Sequence, residues 1–169
     1  MYKQGDIIIY RGNGVCRVDE IKDISFYHER PQKHYILKPM FTNQQELVLY
    51  VPYNNEKLVA KMQPVISKKE AKELIDSIND SSVEWIEDRN QRKDVYGEII
   101  LGDSRKDITS VIGLISRHRV NLEAEGKHLN MQDEKLLNEA ERRMKGEFAV
   151  ALGIEFDDVE DLIMSKVNG

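Results

Sequence analysis

Residues 59–78, VAKMQPVISKKEAKELIDSI, hold the change of pattern that divides the chain. Up to Val59 the apolar residues come in short β-rich runs, and after Pro64 they recur at helical spacing. Ser67-Lys68-Lys69-Glu70 is a capping-box pattern, in which a serine and a glutamate three residues apart satisfy each other's backbone N–H groups. Ala71, Leu74, Ile75 and Ile78 then fall on one helical face. The expected organisation is α+β, with a β domain over residues 1–63 and an all-α helical bundle domain over residues 64–169.

Upstream of the change, four runs read as strands: Asp6 to Tyr10, Gly14 to Ile21, His34 to Pro39 and Glu46 to Pro52. Gly12-Asn13-Gly14 supplies the positive φ angles of a tight hairpin, Pro31 sits in a longer polar connection, and Thr42-Asn43-Gln44-Gln45 makes another turn. Four or five short strands in about 60 residues predict a small, strongly bent antiparallel β-barrel. Downstream, a second helix is expected from near Trp85 to Leu101, stopped by Gly102. A third follows Ser104, with Ile108, Val111, Ile112, Leu114 and Ile115 as its apolar face. A fourth runs from near Gln132 to Leu152, and Asp157-Asp158-Val159-Glu160 offers an acidic cap for a last one.

Composition narrows the function classes. No apolar run approaches the ~20 residues of a membrane span, and the opening residues lack the apolar core of a secretory signal, so no membrane partner and a cytoplasmic location are expected. The single cysteine, Cys16, sits in an alternating strand pattern and reads as a small core residue. The net charge of −5 is unevenly spread: residues 146–169 hold one Lys and six acids, whereas Trp85 to Lys145 balances at twelve against twelve, which leaves room for a basic face.

Catalytic chemistry is not indicated. His28, His34, His118 and His128 lack metal-ligand spacing, Gly12-Asn13-Gly14 joins two strands where a phosphate loop would open a helix, and carboxylate pairs such as Asp157/Asp158 suit helix caps. No enzyme activity, no metal and no cofactor are expected.

Lys3-Gln4-Gly5-Asp6-Ile7-Ile8-Ile9-Tyr10, the Gly12-Asn13-Gly14 hairpin, Tyr35-Ile36-Leu37-Lys38 and Leu47-Val48-Leu49-Tyr50-Val51-Pro52 together resemble the CarD/CdnL family of bacterial transcription regulators. The opening is shared with the polymerase-binding module of the transcription-repair coupling factor. The helical half, with a Trp near its second helix and Gly146-Glu147-Phe148-Ala149 in its fourth, favours the CarD side. The resemblance implies a Tudor-like N-terminal domain that docks on the β subunit of RNA polymerase by extending that subunit's sheet through an exposed strand. The matching strand comprises Leu47, Val48, Leu49, Tyr50, Val51 and Pro52, with Tyr50 standing where the family often carries an arginine. From the residues alone this run reads rather as a buried barrel strand, and the resemblance reverses that reading for Val48 and Tyr50, whose side chains share a face.

The resemblance also implies that Trp85 contacts the minor groove at the upstream edge of the transcription bubble and so stabilises the open promoter complex. As a lone tryptophan it reads otherwise as a core anchor. Arg89, Arg92, Lys93, Arg117 and Arg119 are the candidate phosphate contacts, giving non-sequence-specific binding to promoter DNA by a monomer. The main alternative is a protein-interaction adaptor whose helical domain binds another protein rather than DNA.

Overall fold

The computed structural model describes all 169 residues and divides them into two compact units, Met1–Ile66 and Ser67–Gly169. In the first, β1 (Ile7–Tyr10), β2 (Gly14–Ile24), β3 (Gln32–Pro39), β4 (Leu49–Pro52) and β5 (Met62–Pro64) form one antiparallel sheet in the order β4-β3-β2-β1-β5, with a short helix α1 (Glu56–Val59) between β4 and β5. Gly12 and Gly14, at φ 89° and 74°, turn the β1–β2 hairpin in a conformation that costs other residues strain.

The expected barrel is corrected to an open sheet with β4 and β5 at its edges. Both edges are short and end in proline, which has no N–H to extend a ladder. Leu58 and Val59 of α1, instead of a further strand pairing, pack against the core. A register shift between Val18 and Glu20 returns Ile21 to the inner face, and a bulge of this kind bends the strand that carries it. The fourth strand starts three residues later than its run of β-prone residues, because the Leu47 N–H closes a turn onto the Gln44 carbonyl at 3.0 Å.

Ile8, Tyr10, Cys16, Val18, Tyr35, Leu37, Val51 and Met62 form the core of this unit, with Tyr53 stacked on Tyr35 at 5.0 Å. The unit extends past residue 63 because Pro64 stands opposite Ile8 in the β1–β5 ladder. Cys16 is fully buried, and burial pushes its thiol up to about 11, so it is protonated at neutral pH and is no nucleophile.

In the second unit, α2 (Lys68–Asp76), α3 (Arg89–Leu101), α4 (Arg105–Ala124), α5 (Met131–Leu152) and α6 (Asp158–Val167) form a bundle in which α5 packs against the other four. The Ser67/Glu70 capping box closes in both directions. Ser104 caps α4 and Asn130 caps α5, whereas Asp157 stands at the N-cap of α6 without a side-chain cap bond, so the acidic start expected there acts through the first-turn charges of Asp158, Glu160 and Asp161. Gly113 of α4 permits a close approach: a Cβ there would lie 2.4 Å from the Ile78 carbonyl oxygen. No helix is long and apolar enough to cross a membrane.

The second helix of this unit begins at Arg89, capped by Asp88, and not near Trp85. The carbonyls of Glu84, Ile86 and Glu87 are taken by side chains of Tyr96 and Arg92, which leaves them no part in an intrahelical ladder.

Glu141 of α5 is 9% exposed, and burial raises its carboxyl above the usual range, reinforced by Glu160 and opposed by Lys145 and Arg119. A carboxyl whose folded pKa is raised contributes stability that is present in acid and lost as pH rises through that pKa. Glu141→Gln, neutral at every pH, is therefore expected to raise the melting temperature at neutral pH and to lose that gain in acid. Thermal melts across a pH series check both the sign and the convergence.

Candidate interaction surfaces

Two exposed regions, one in each unit, bring the sequence-predicted residues into view. In the first unit, β4 pairs only with β3, in the register Tyr35↔Val51, Ile36↔Tyr50 and Leu37↔Leu49, so its other side is a free sheet edge. Side chains alternate along a strand: Leu49 and Val51 turn into the core, and Tyr50, 47% exposed, stands on the opposite face across from Ile36. Leu47 and Val48, half-buried, lead into the strand without belonging to its ladder, and Pro52 ends it. Four of the six expected residues thus form the edge strand, and two precede it.

The turn after β2 adds a residue that the sequence reading missed. Phe26, 38% exposed, meets Tyr50 edge to face at 5.4 Å and His34 at 5.5 Å. Such T-shaped pairs add about 0.5–1.5 kcal/mol beyond burial, enough to hold an exposed ring beside the strand edge. The turn itself is tight: Tyr27 and His28 take φ of 51° and 66°, the Glu29 N–H donates to the Phe26 carbonyl at 2.9 Å, and the Ser25 hydroxyl donates to the Glu29 carbonyl. An aromatic in the polar stretch Ser25 to Pro31, just where the strand alternation stops, was the available signal.

In the second unit, residues 81–88 form a strap that leads into α3. Its first part is tied to α4: the Ser82 N–H donates to Ser110 Oγ at 3.1 Å, and the Ser82 hydroxyl donates to Asp107 Oδ1 at 2.6 Å. Its second part is tied to α3, where the Tyr96 hydroxyl donates to the Glu84 carbonyl at 2.7 Å. Trp85 projects from this strap and is half-buried. Its ring lies 4.5 Å from His118, 6.4 Å from Tyr96 and 4.6 Å from the Arg92 guanidinium carbon.

The five basic candidates separate clearly. Arg89 and Lys93 are exposed and, four residues apart on α3, share one stripe near the end of the strap. The exposed Glu84 and Glu87 lie close by in sequence, so the local charge is mixed. Arg92 is withdrawn from the phosphate set: it is 4% exposed and paired with Asp133. Arg117 donates to the Asn79 carbonyl at 3.3 Å and Arg119 reaches the Met164 sulfur at 3.4 Å, and neither partner belongs to the group around Trp85. What the structure gathers against the Trp85 ring is Arg92, Tyr96 and His118, while Arg89 and Lys93 are exposed on the first turns of α3, four and eight residues further along the chain. No group of three or more His, Cys, Asp or Glu side chains is arranged to hold a metal ion.

Residues 2–66 match the family model of the CarD-like/TRCF RID domain, and the match ends where the first compact unit ends. No curated protein matches the chain.

Proposed function

We propose that the chain acts as a member of the CarD-like family, because residues 2–66 match the model of an RNA polymerase-interacting domain of that family, and that it engages the transcription machinery as follows. The domain docks on the β subunit by adding β4 to the edge of that subunit's sheet. Main-chain hydrogen bonds along Leu49 to Val51 supply affinity, and Tyr50, Phe26 and Val48 set register and specificity. The helical unit, carried to the promoter by this docking, touches DNA through Trp85, Arg89 and Lys93. Tethering raises the effective concentration of the second contact, so a weak, sequence-independent DNA affinity suffices. An aromatic side chain placed at an unstacked base step favours the melted promoter over the closed duplex, which would lengthen the life of the open complex.

The free edge of β4, flanked by the exposed Tyr50 ring, is the single observation that carries this reading. A photo-crosslinking amino acid at position 50 tests it. Capture of the β subunit from assembled polymerase is the expected result, and reaction with another subunit, or with none, would remove the edge-docking proposal.

A further inference from the structure

Arg92 and Asp133 form a buried ion pair that joins α3 to α5. Asp133 is fully buried in the first turn of α5, and Arg92 reaches it from α3 with two bonds, Nε to Oδ1 at 2.8 Å and Nη2 to Oδ2 at 2.7 Å. Asn130 completes the carboxylate's shell, donating from Nδ2 to Oδ2 at 2.8 Å, while its own Oδ1 accepts from the Asp133 N–H at 2.9 Å. The remaining arm of Arg92 turns back to the strap: Nη1 donates to the Ile86 carbonyl at 2.7 Å and the Glu87 carbonyl at 3.2 Å. One guanidinium therefore links α5, the two peptide groups just beyond Trp85 and, by its proximity to the ring at 4.6 Å, Trp85 itself.

We propose that Arg92, held from behind by Asp133, is a positioning residue that presents the Trp85 ring in a fixed orientation, an inference that rests on the reading of Trp85 as a DNA contact. A buried ion pair is weak evidence for stability, since apolar replacements of similar volume often fold as well. What such a replacement does not reproduce is the planar fork, which here satisfies a carboxylate and two carbonyls at fixed angles while offering the indole a cation. Fixing the ring before contact spares the ordering entropy that a mobile indole would lose on meeting DNA. Exposed Arg89 and Lys93, by contrast, act on phosphates without orienting the ring.

Trp85 is the only tryptophan, so emission excited on the long-wavelength side of tyrosine absorption, which the seven tyrosines do not share, reports on this ring alone. Two variants test the proposal: Arg92→Lys, which keeps the charge and loses the fork, and the double variant Arg92→Met/Asp133→Leu, which removes both charges so that neither is stranded. Both are expected to show stronger acrylamide quenching and faster depolarisation of Trp85 emission than wild type. The double variant should nonetheless melt cooperatively and more stably than Asp133→Leu alone. In promoter assays both should lose most of the lifetime effect that Trp85→Ala removes, with polymerase binding unchanged. A double variant that folds and keeps wild-type quenching and depolarisation would overturn the positioning role. If Trp85→Ala leaves the lifetime unchanged, the DNA-contact reading fails separately, because the fluorescence result stands without DNA or polymerase.

Discussion

Val48→Glu/Tyr50→Glu is expected to weaken polymerase binding by at least about tenfold, the consequence of losing one hot-spot contact worth ~2 kcal/mol. The two carboxylates would flank the free side of β4, where they oppose a second strand by charge and by the cost of desolvation. Folding should survive, because Tyr50 is nearly half exposed and Val48 lies outside the β3–β4 ladder. An unchanged melting temperature alongside lost binding would attribute the effect to the surface. Binding that survives in a folded double variant would place docking elsewhere on the first unit.

Trp85→Ala carries the second large effect. If the indole holds a distorted base step worth a few kcal/mol, its removal should shorten the lifetime of open complexes by roughly ten- to a hundredfold. Polymerase docking should be unaffected, since that contact is assigned to the first unit. The ring also meets His118, Tyr96 and Arg92, so a modest drop in melting temperature is expected and has to be measured beside the lifetime. A companion variant, Arg89→Ala/Lys93→Ala, separates DNA from a protein partner. If both side chains touch phosphates, the salt dependence of promoter binding flattens by about one in slope per lost contact. An unaltered slope would favour the adaptor alternative.

Much of this architecture was legible because it depends on local patterns. Ser67 and Glu70 announced a helix start that forms as a capping box, and Gly12 and Gly14 announced a hairpin. The open sheet was not legible: four short runs fit a barrel, and only pairing shows that β4 and β5 stay apart with α1 between them. The start of α3 was misplaced because the competitors for the strap's carbonyls, Arg92 and Tyr96, lie seven and eleven residues beyond Trp85. A helix-period reading of residues 85–88 cannot register such partners.

The candidate sites divide along the same line. Tyr50 was marked by the resemblance of its strand to the family's, whereas Phe26 becomes its neighbour only through the turn after β2. Arg92 looked like its neighbours Arg89 and Lys93 because side-chain charge carries no sign of burial. The residue that marks it as internal, Asp133, is 41 positions away. Arg117 and Arg119 likewise read as phosphate contacts, but successive helical residues point about 100° apart, and it is His118 between them that meets Trp85.

The measurement that bears most directly on the account is the lifetime of open promoter complexes formed by purified polymerase in the presence of the wild-type chain, Trp85→Ala and Val48→Glu/Tyr50→Glu. A longer lifetime is expected with wild type and disappears in both variants, with binding to polymerase retained by Trp85→Ala and lost by the double variant. A Trp85→Ala chain that binds polymerase and prolongs the complex as wild type does would contradict it.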